Sequence, residues 1–286
     1  MSLNEVVVGV DGTPAGDTAL AWANMYAERT GTTLRIVAVV DLGIAGVVSP
    51  EYTEAQSGAI SAVLEHARSS SRVPGVSVTR EFGRVVPELI SQSRNASALV
   101  IGTDKTGVIA GVIHGTIPLK VASATTVPLV VVSATWAPSS GPIVLGVDDS
   151  TDAGATRFAA DVALAFGAPL VLVHVWGVAP LVLADPEQLR RLTAELETTA
   201  RLVLDTVAAQ LATTHPTLTV TKVLVEGDPP LAVVKTARDT PGAQLVVVGT
   251  RRLGALGSLL LGSVGHDLLM NMPCPVAIVP TDRADN

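Results

Sequence analysis

The run Val6-Val7-Val8-Gly9-Val10-Asp11 returns 137 positions later as Ile143-Val144-Leu145-Gly146-Val147-Asp148. A second landmark, Gly102-Thr103-Asp104-Lys105, returns 147 positions later as Gly249-Thr250-Arg251-Arg252. Each is followed by nine residues and then a glycine with a hydroxyl neighbour, Gly115-Thr116 in one half and Gly262-Ser263 in the other. A chain of 286 residues that repeats itself in this way is a tandem duplication. Halves of about 140 residues fall within the ordinary size of a domain, ~100–150 residues.

Each half is an alternation of short apolar runs and helical stretches. The runs 6–10, 34–40, 76–82, 98–101 and 129–132 predict strands in the first half, and 143–148, 170–175, 218–225, 245–248 and 275–279 in the second. Asp11-Gly12-Thr13-Pro14 turns the chain into a helix that carries Leu20, Ala23 and Ala27 on one side and stops at Gly31. Ser49-Pro50-Glu51 and Asp185-Pro186-Glu187-Gln188 open further helices, the latter with an apolar stripe from Leu189 to Leu211. Shorter helices are predicted over 87–94, 117–122 and 264–270. Residues 134–142, containing Pro138-Ser139-Ser140-Gly141-Pro142, read as a linker between domains 4–133 and 143–280.

Strands alternating with helices predict the α/β class, each half a five-stranded parallel sheet with helices on both faces. In such sheets a ligand sits beyond the carboxyl ends of the strands. Asp11 and Gly102 end strands in the first half, as Asp148 and Gly249 do in the second, so each pair shares an edge. A glycine turn followed by a Gly-Ser or Gly-Thr helix start offers backbone N–H groups to an anion. Without a ligand, the same turn is a tight strand-to-helix connection.

Composition narrows the rest. With 48% hydrophobic but only 3% aromatic residues, the core must be aliphatic. A net charge of −7 argues against a nucleic-acid partner, which calls for a basic face. The single cysteine, Cys274, excludes an internal disulfide and fits a reducing cytoplasm. The uncharged stretch 162–184 is broken by Gly167-Ala168-Pro169 and Pro180, so it reads as a helix end, a turn, a buried strand and a loop rather than a membrane span. No signal-peptide pattern opens the chain. The five histidines lack metal-ligand spacing, and neither a P-loop nor a nucleophile elbow is present, so no catalytic residue is assigned. The last strand of each half is an apolar edge that needs a cover, which predicts pairing of the halves and a homodimer beyond it.

The combined motifs resemble the universal stress protein family in its tandem-domain form, over roughly 6–132 and 143–279. The resemblance is carried by the Val-Gly-Val-Asp strand end, Glu226-Gly227-Asp228-Pro229, the glycine turn and Pro273-Cys274-Pro275-Val276. It implies Rossmann-like, adenine-nucleotide alpha-hydrolase-like domains. It also implies a cytoplasmic stress-response regulator that binds ATP, accompanied by Mg2+, with little or no turnover and with a protein partner still unknown. Nucleotide-binding members of that family are marked by Gly, two residues, Gly, nine residues, then Gly with Ser or Thr. Carried over, the pattern puts phosphates against Gly102, Thr103, Gly115 and Thr116, and against Gly249, Thr250, Gly262 and Ser263. Asp11, with Gly12 and Thr13, and Asp148 would accept from the adenine or ribose side, and Val39 and Val175 would present backbone to adenine.

Lys105 and Arg252 stand where the pattern has its middle glycine, either intruding on the phosphates or pairing with one. The intact Asp11-Gly12-Thr13-Pro14 favours the first half, because Asp148-Asp149-Ser150 reads as one residue shorter before its helix. Two other readings stay open: a nucleotide-free dimerising scaffold and a slow ATP hydrolase.

Overall fold

A computed structural model of the chain describes residues 4–41, 50–104, 116–148, 153–177, 186–252 and 259–281. The first half runs β1 (Glu5–Gly9), α1 (Pro14–Thr30), β2 (Thr33–Asp41), α2 (Pro50–Ser70), β3 (Ser77–Gly83), α3 (Val85–Ser93), β4 (Ala98–Thr103), α4 (Thr116–Ala122) and β5 (Leu129–Ser133). The second runs β6 (Ile143–Val147), α5 (Ala153–Phe166), β7 (Leu170–Trp176), α6 (Pro186–Thr214), β8 (Val220–Glu226), α7 (Pro229–Asp239) and β9 (Leu245–Gly249). It ends with a two-residue hairpin, β10 (Arg251–Arg252) and β11 (Leu259–Leu260), then α8 (Ser263–Met270) and β12 (Val276–Val279).

Local chemistry accounts for these boundaries. Val6, Val7 and Val8 are wholly buried, which is why the central strand reads as a continuous apolar run instead of alternating. The Thr13 hydroxyl accepts from the Gly16 N–H at 3.2 Å, and Pro14 fills the first helical position of α1. Gly31, at φ 69°, closes the same helix in the left-handed region. Helix α7 corrects the sequence reading, which passed from Gly227-Asp228-Pro229 straight to the next strand. The Asp228 carboxylate caps α7 by accepting from the Leu231 N–H, and Val233, Val234 and Ala237 bury its inner face. The β10–β11 hairpin is likewise new.

All ten longer strands form one sheet, in the order β3-β2-β1-β4-β5-β12-β9-β6-β7-β8. Within each half the pairing is parallel. At the centre β5 and β12 pair antiparallel, with Val131 opposite Val276, Val130 opposite Ala277 and Leu129 opposite Ile278. The two expected five-stranded sheets are therefore present, fused along their apolar last strands. All six of these side chains are fully buried, so each strand covers the edge that the other leaves open. The outer strands β3 and β8 carry Arg80, Glu81, Lys222 and Glu226, charges that oppose further edge-to-edge pairing.

Helices cover both faces. One core joins α1 and α2 with α5 and α6, and a second, across the sheet, joins α3 and α4 with α7 and α8. Both cores are mainly aliphatic, as the composition implies. Three of the chain's few aromatics gather where α1 meets α5. Trp22 stacks on Tyr26 at 5.3 Å and lies 6.2 Å from Phe166, whose ring also carries the Arg29 guanidinium at 4.6 Å. Burial raises the Tyr26 phenol above its ordinary range, with Asp161 adding to the effect and a hydrogen bond to Ser97 opposing it.

The β5–β12 ladder predicts a seam that holds without a continuous linker. A chain cut once within 134–142 by an engineered protease site is expected to elute from size exclusion as one species of full mass. Two species of half the mass would contradict the fused sheet.

Candidate functional site

Parallel strands place their carboxyl ends on one edge, so Asp11 meets Gly102 and Asp148 meets Gly249 across neighbouring strands. Because β5 and β12 run antiparallel, the two edges lie at opposite ends of the sheet. The duplication thus builds two separate pockets. The first encloses about 150 Å³ and is lined by Asp11, Gly16, Val39, Gly102 and Ile117, with Val85 and Leu89 of α3. The second encloses about 300 Å³, with Asp148, Val175, Gly249, Thr250, Gly262 and Ser263 in its wall.

Six of the residues picked out in the second half therefore share one cavity. In the first half Asp11, Val39 and Gly102 do so, while Gly12 and Thr13 form the turn beside it. Thr103 is buried at the end of β4, and Thr116 opens α4. Lys105 and Gly115 lie outside the described residues. Arg252 falls in β10, paired with Leu259. Sequence reasoning missed Asp228, Pro229, Pro230 and Val233, which form a further wall of the second pocket. The signal was present in Gly227-Asp228-Pro229, whose cap chemistry marks a helix start on the same sheet edge.

The two glycine turns do different work. A Cβ on Gly102 would overlap the Ala15 carbonyl at the start of α1, so this glycine is demanded by packing of helix against strand. A Cβ on Gly249 would meet only the Ala155 methyl, at 3.6 Å, among the described residues. Counted back from Gly31 and Gly167, the glycines that follow the two helices, Ala155 answers to Ala19 and not to Ala15, so the second half is one residue shorter in sequence here, and residues 149–152 lie outside the described ones.

The pocket walls differ in polarity. Asp11 Oδ1 accepts from both the Thr13 N–H, at 3.0 Å, and the Thr13 hydroxyl, at 2.7 Å, which ties one carboxylate oxygen into the turn. In the second pocket α8 starts at Gly262 with no side-chain cap, and its first helical bond is from the His266 N–H to the Gly262 carbonyl at 3.0 Å. The N–H groups of Ser263, Val264 and Gly265 are the orphan donors of that helix, and these three residues line the cavity. A Cβ on Gly262 would meet nothing among the described residues, so backbone at this point is open to close approach. The arrangement can take an anion at α8 and hydrogen-bond donors at Asp148.

Thiol chemistry is not on offer. Burial of the Cys274 sulfur pushes its thiol up to about 12, only partly opposed by a hydrogen bond from the backbone of Val246. Among the described residues no group of three metal-ligating side chains converges, and no helix is long and apolar enough to cross a membrane.

Comparison with known proteins adds the lineage. A family model described as the Universal stress protein family matches residues 3–133 and 140–280. A universal stress protein of Mycobacterium tuberculosis is 28% identical over 311 residues, covering 98% of this chain and 96% of its own length. Another from the same organism is 26% identical over 292 residues, covering 96% of this chain and 95% of the relative. Among solved structures, a universal stress protein from Archaeoglobus fulgidus superposes with a TM-score of 0.71 at 18% identity, covering 99% of this chain and 100% of that one. A Pseudomonas aeruginosa protein described as functionally unknown gives 0.66 at 16% identity, over 98% and 94%.

Two outcomes follow from the site geometry. Gly102→Ala is expected to lower stability by about 1–3 kcal/mol through overpacking, while Gly249→Ala stays within about 1 kcal/mol, both read by urea denaturation. Equal losses would contradict the packing difference. For Cys274 the raised thiol means that the neutral form is favoured in the fold. Its contribution is fully present below the ordinary value of 9.0 and is lost as pH rises above it. At pH 8 the native chain should resist alkylation by iodoacetamide and become labelled only on unfolding.

Proposed function

Because this chain belongs to the universal stress protein family, we propose that it is a cytoplasmic stress-response regulator whose second half binds ATP or a related adenine nucleotide with little turnover. The observation that carries this reading is the second cavity, where an acidic strand end, a helix start without a side-chain cap and a glycine that packing against the described residues does not require face one space. At about 300 Å³ it reaches the lower end of ligand-pocket volumes, ~300–1,000 Å³. The first cavity, at about 150 Å³ among the described residues, falls short of it.

In this reading the N–H groups at the start of α8, with the Ser263 and Thr250 hydroxyls, receive phosphate. Asp148 and the Val175 backbone address the base and ribose, as the carried-over motif implies. Mg2+ enters only as the counter-ion of the triphosphate. Regulation by conformation or by a partner protein fits better than chemistry, since among the described residues neither the Ser263 nor the Thr250 hydroxyl is hydrogen-bonded to a carboxylate or a histidine.

A second reading, a nucleotide-free scaffold, draws support from the first half, where Gly102 serves packing and α1 presses on the turn. The apolar-edge argument for a homodimer loses its force once β5 and β12 cover each other within one chain.

Isothermal titration of the full chain with ATP tests the proposal. One site per chain is expected. A hydrogen bond to a charged group is worth about 1.5–3 kcal/mol, so Asp148→Ala should weaken binding by roughly 10–100-fold. Asp11→Ala should leave binding within about twofold on the same scale. Absence of ATP binding, or a loss confined to Asp11→Ala, would overturn the assignment.

A further inference from the structure

Helix α7 starts in a way that removes the usual helical N–H donors from its end of the second pocket. Its first two residues are Pro229 and Pro230, which have no N–H. The next N–H, from Leu231, goes to Asp228 Oδ1 at 3.3 Å, and the one after, from Ala232, goes to the Asp228 carbonyl at 2.9 Å. A helix start normally presents donors; this one presents an acceptor. The second carboxylate oxygen of Asp228 takes no hydrogen bond among the described residues, and Asp228 lines the same cavity as Asp148 and Val175.

Helix α8, which packs against α7, has the opposite character. At α8 the Gly262 cap has no side chain, so the N–H groups of Ser263, Val264 and Gly265 are left to a ligand. The cavity is therefore polarised, with donors at α8 and acceptors at α7 and the end of β6. The first half breaks this pattern. The residue in the place of Asp228 is Arg84, which caps α3 without a side-chain bond, and the two residues after it, Val85 and Val86, keep their N–H groups. The same position carries a negative charge in one half and a positive charge in the other.

Resting on the nucleotide reading of this pocket, we infer that Asp228 is the specificity-determining residue for the base, selecting a ring that presents an exocyclic amine over one that presents a carbonyl. Its unused oxygen accepts from an amine and repels a carbonyl oxygen. Asp228 is exposed at the cavity; a base seated there would cover it, and an acceptor covered while facing another acceptor is costly, which gives such sites their discrimination. Pro229 and Pro230 strengthen the choice, because neither offers an N–H to a carbonyl.

Asparagine also caps helices well. In Asp228→Asn the amide oxygen can keep the Leu231 bond while the amide N–H2 group faces the cavity, which turns the acceptor into a donor without removing the cap. ATP and ITP differ at this position of the ring, an amine in one and a carbonyl in the other, and are the probes. Titration of the native full chain should favour ATP over ITP by about tenfold or more. In Asp228→Asn the ratio should fall to within about twofold or reverse, with the melting temperature unchanged. Asp228→Ser, which keeps a capping hydroxyl but no carboxylate, should also flatten the ratio and serves if the asparagine variant folds poorly. An ATP-to-ITP ratio unchanged in both variants would overturn the role of Asp228 and leave nucleotide binding intact. Failure of the native chain to bind either nucleotide would remove both readings.

Discussion

The antiparallel ladder between β5 and β12 is the constraint from which the rest of the architecture follows. Each half ends in a strand whose side chains are fully buried, with Leu129, Val130 and Val131 on one side and Val276, Ala277 and Ile278 on the other. Such a strand cannot be left as a free edge in water without inviting association. Duplication solves the problem internally, since the second copy supplies the partner that a single copy would have to find in another molecule. Once the ladder is antiparallel, the carboxyl edges of the two parallel halves must point in opposite directions. Two independent pockets, rather than one shared crevice, are the geometric result.

Independence lets the pockets diverge. In the first half the start of α1 approaches β4 so closely that position 102 admits no side chain, and Asp11 is partly committed to the Thr13 turn. In the second half nothing among the described residues obliges position 249 to be glycine, and the cavity they line is about twice as large. A glycine kept where packing does not demand it points to close approach by something else. The paired features of a family motif can thus look alike in sequence while their glycines meet different surroundings in the fold.

Much of this was legible in the sequence, and the reasons are specific. The runs 6–10 and 143–148 declare central parallel strands because β-branched residues with no alternation must be buried on both faces. The offsets of 137 and 147 residues declare the duplication. The rule that strand ends share a side brings Asp148 and Gly249 to one edge, while Val175, Thr250, Gly262 and Ser263 follow from the resemblance to the family motif. What stayed hidden depends on contacts between distant segments. The overlap of Gly102 with Ala15 needs the helix placed over the strand, and the antiparallel sense of the central ladder is not encoded in any local pattern. Helix α7 was passed over because its signals, an aspartate cap and two prolines, were read only as a turn. Lys105 and Gly115, on which the first pocket's motif depends, fall outside the described residues.

The central claim is that adenine nucleotide occupies the second half. Photolabelling of the full chain with an azido-adenine nucleotide, followed by peptide mapping with and without excess ATP, tests it directly. ATP-protected labelling is predicted on peptides carrying residues 170–177 and 227–235. Labelling restricted to the peptide carrying residues 33–41, or labelling that excess ATP fails to suppress, would contradict it.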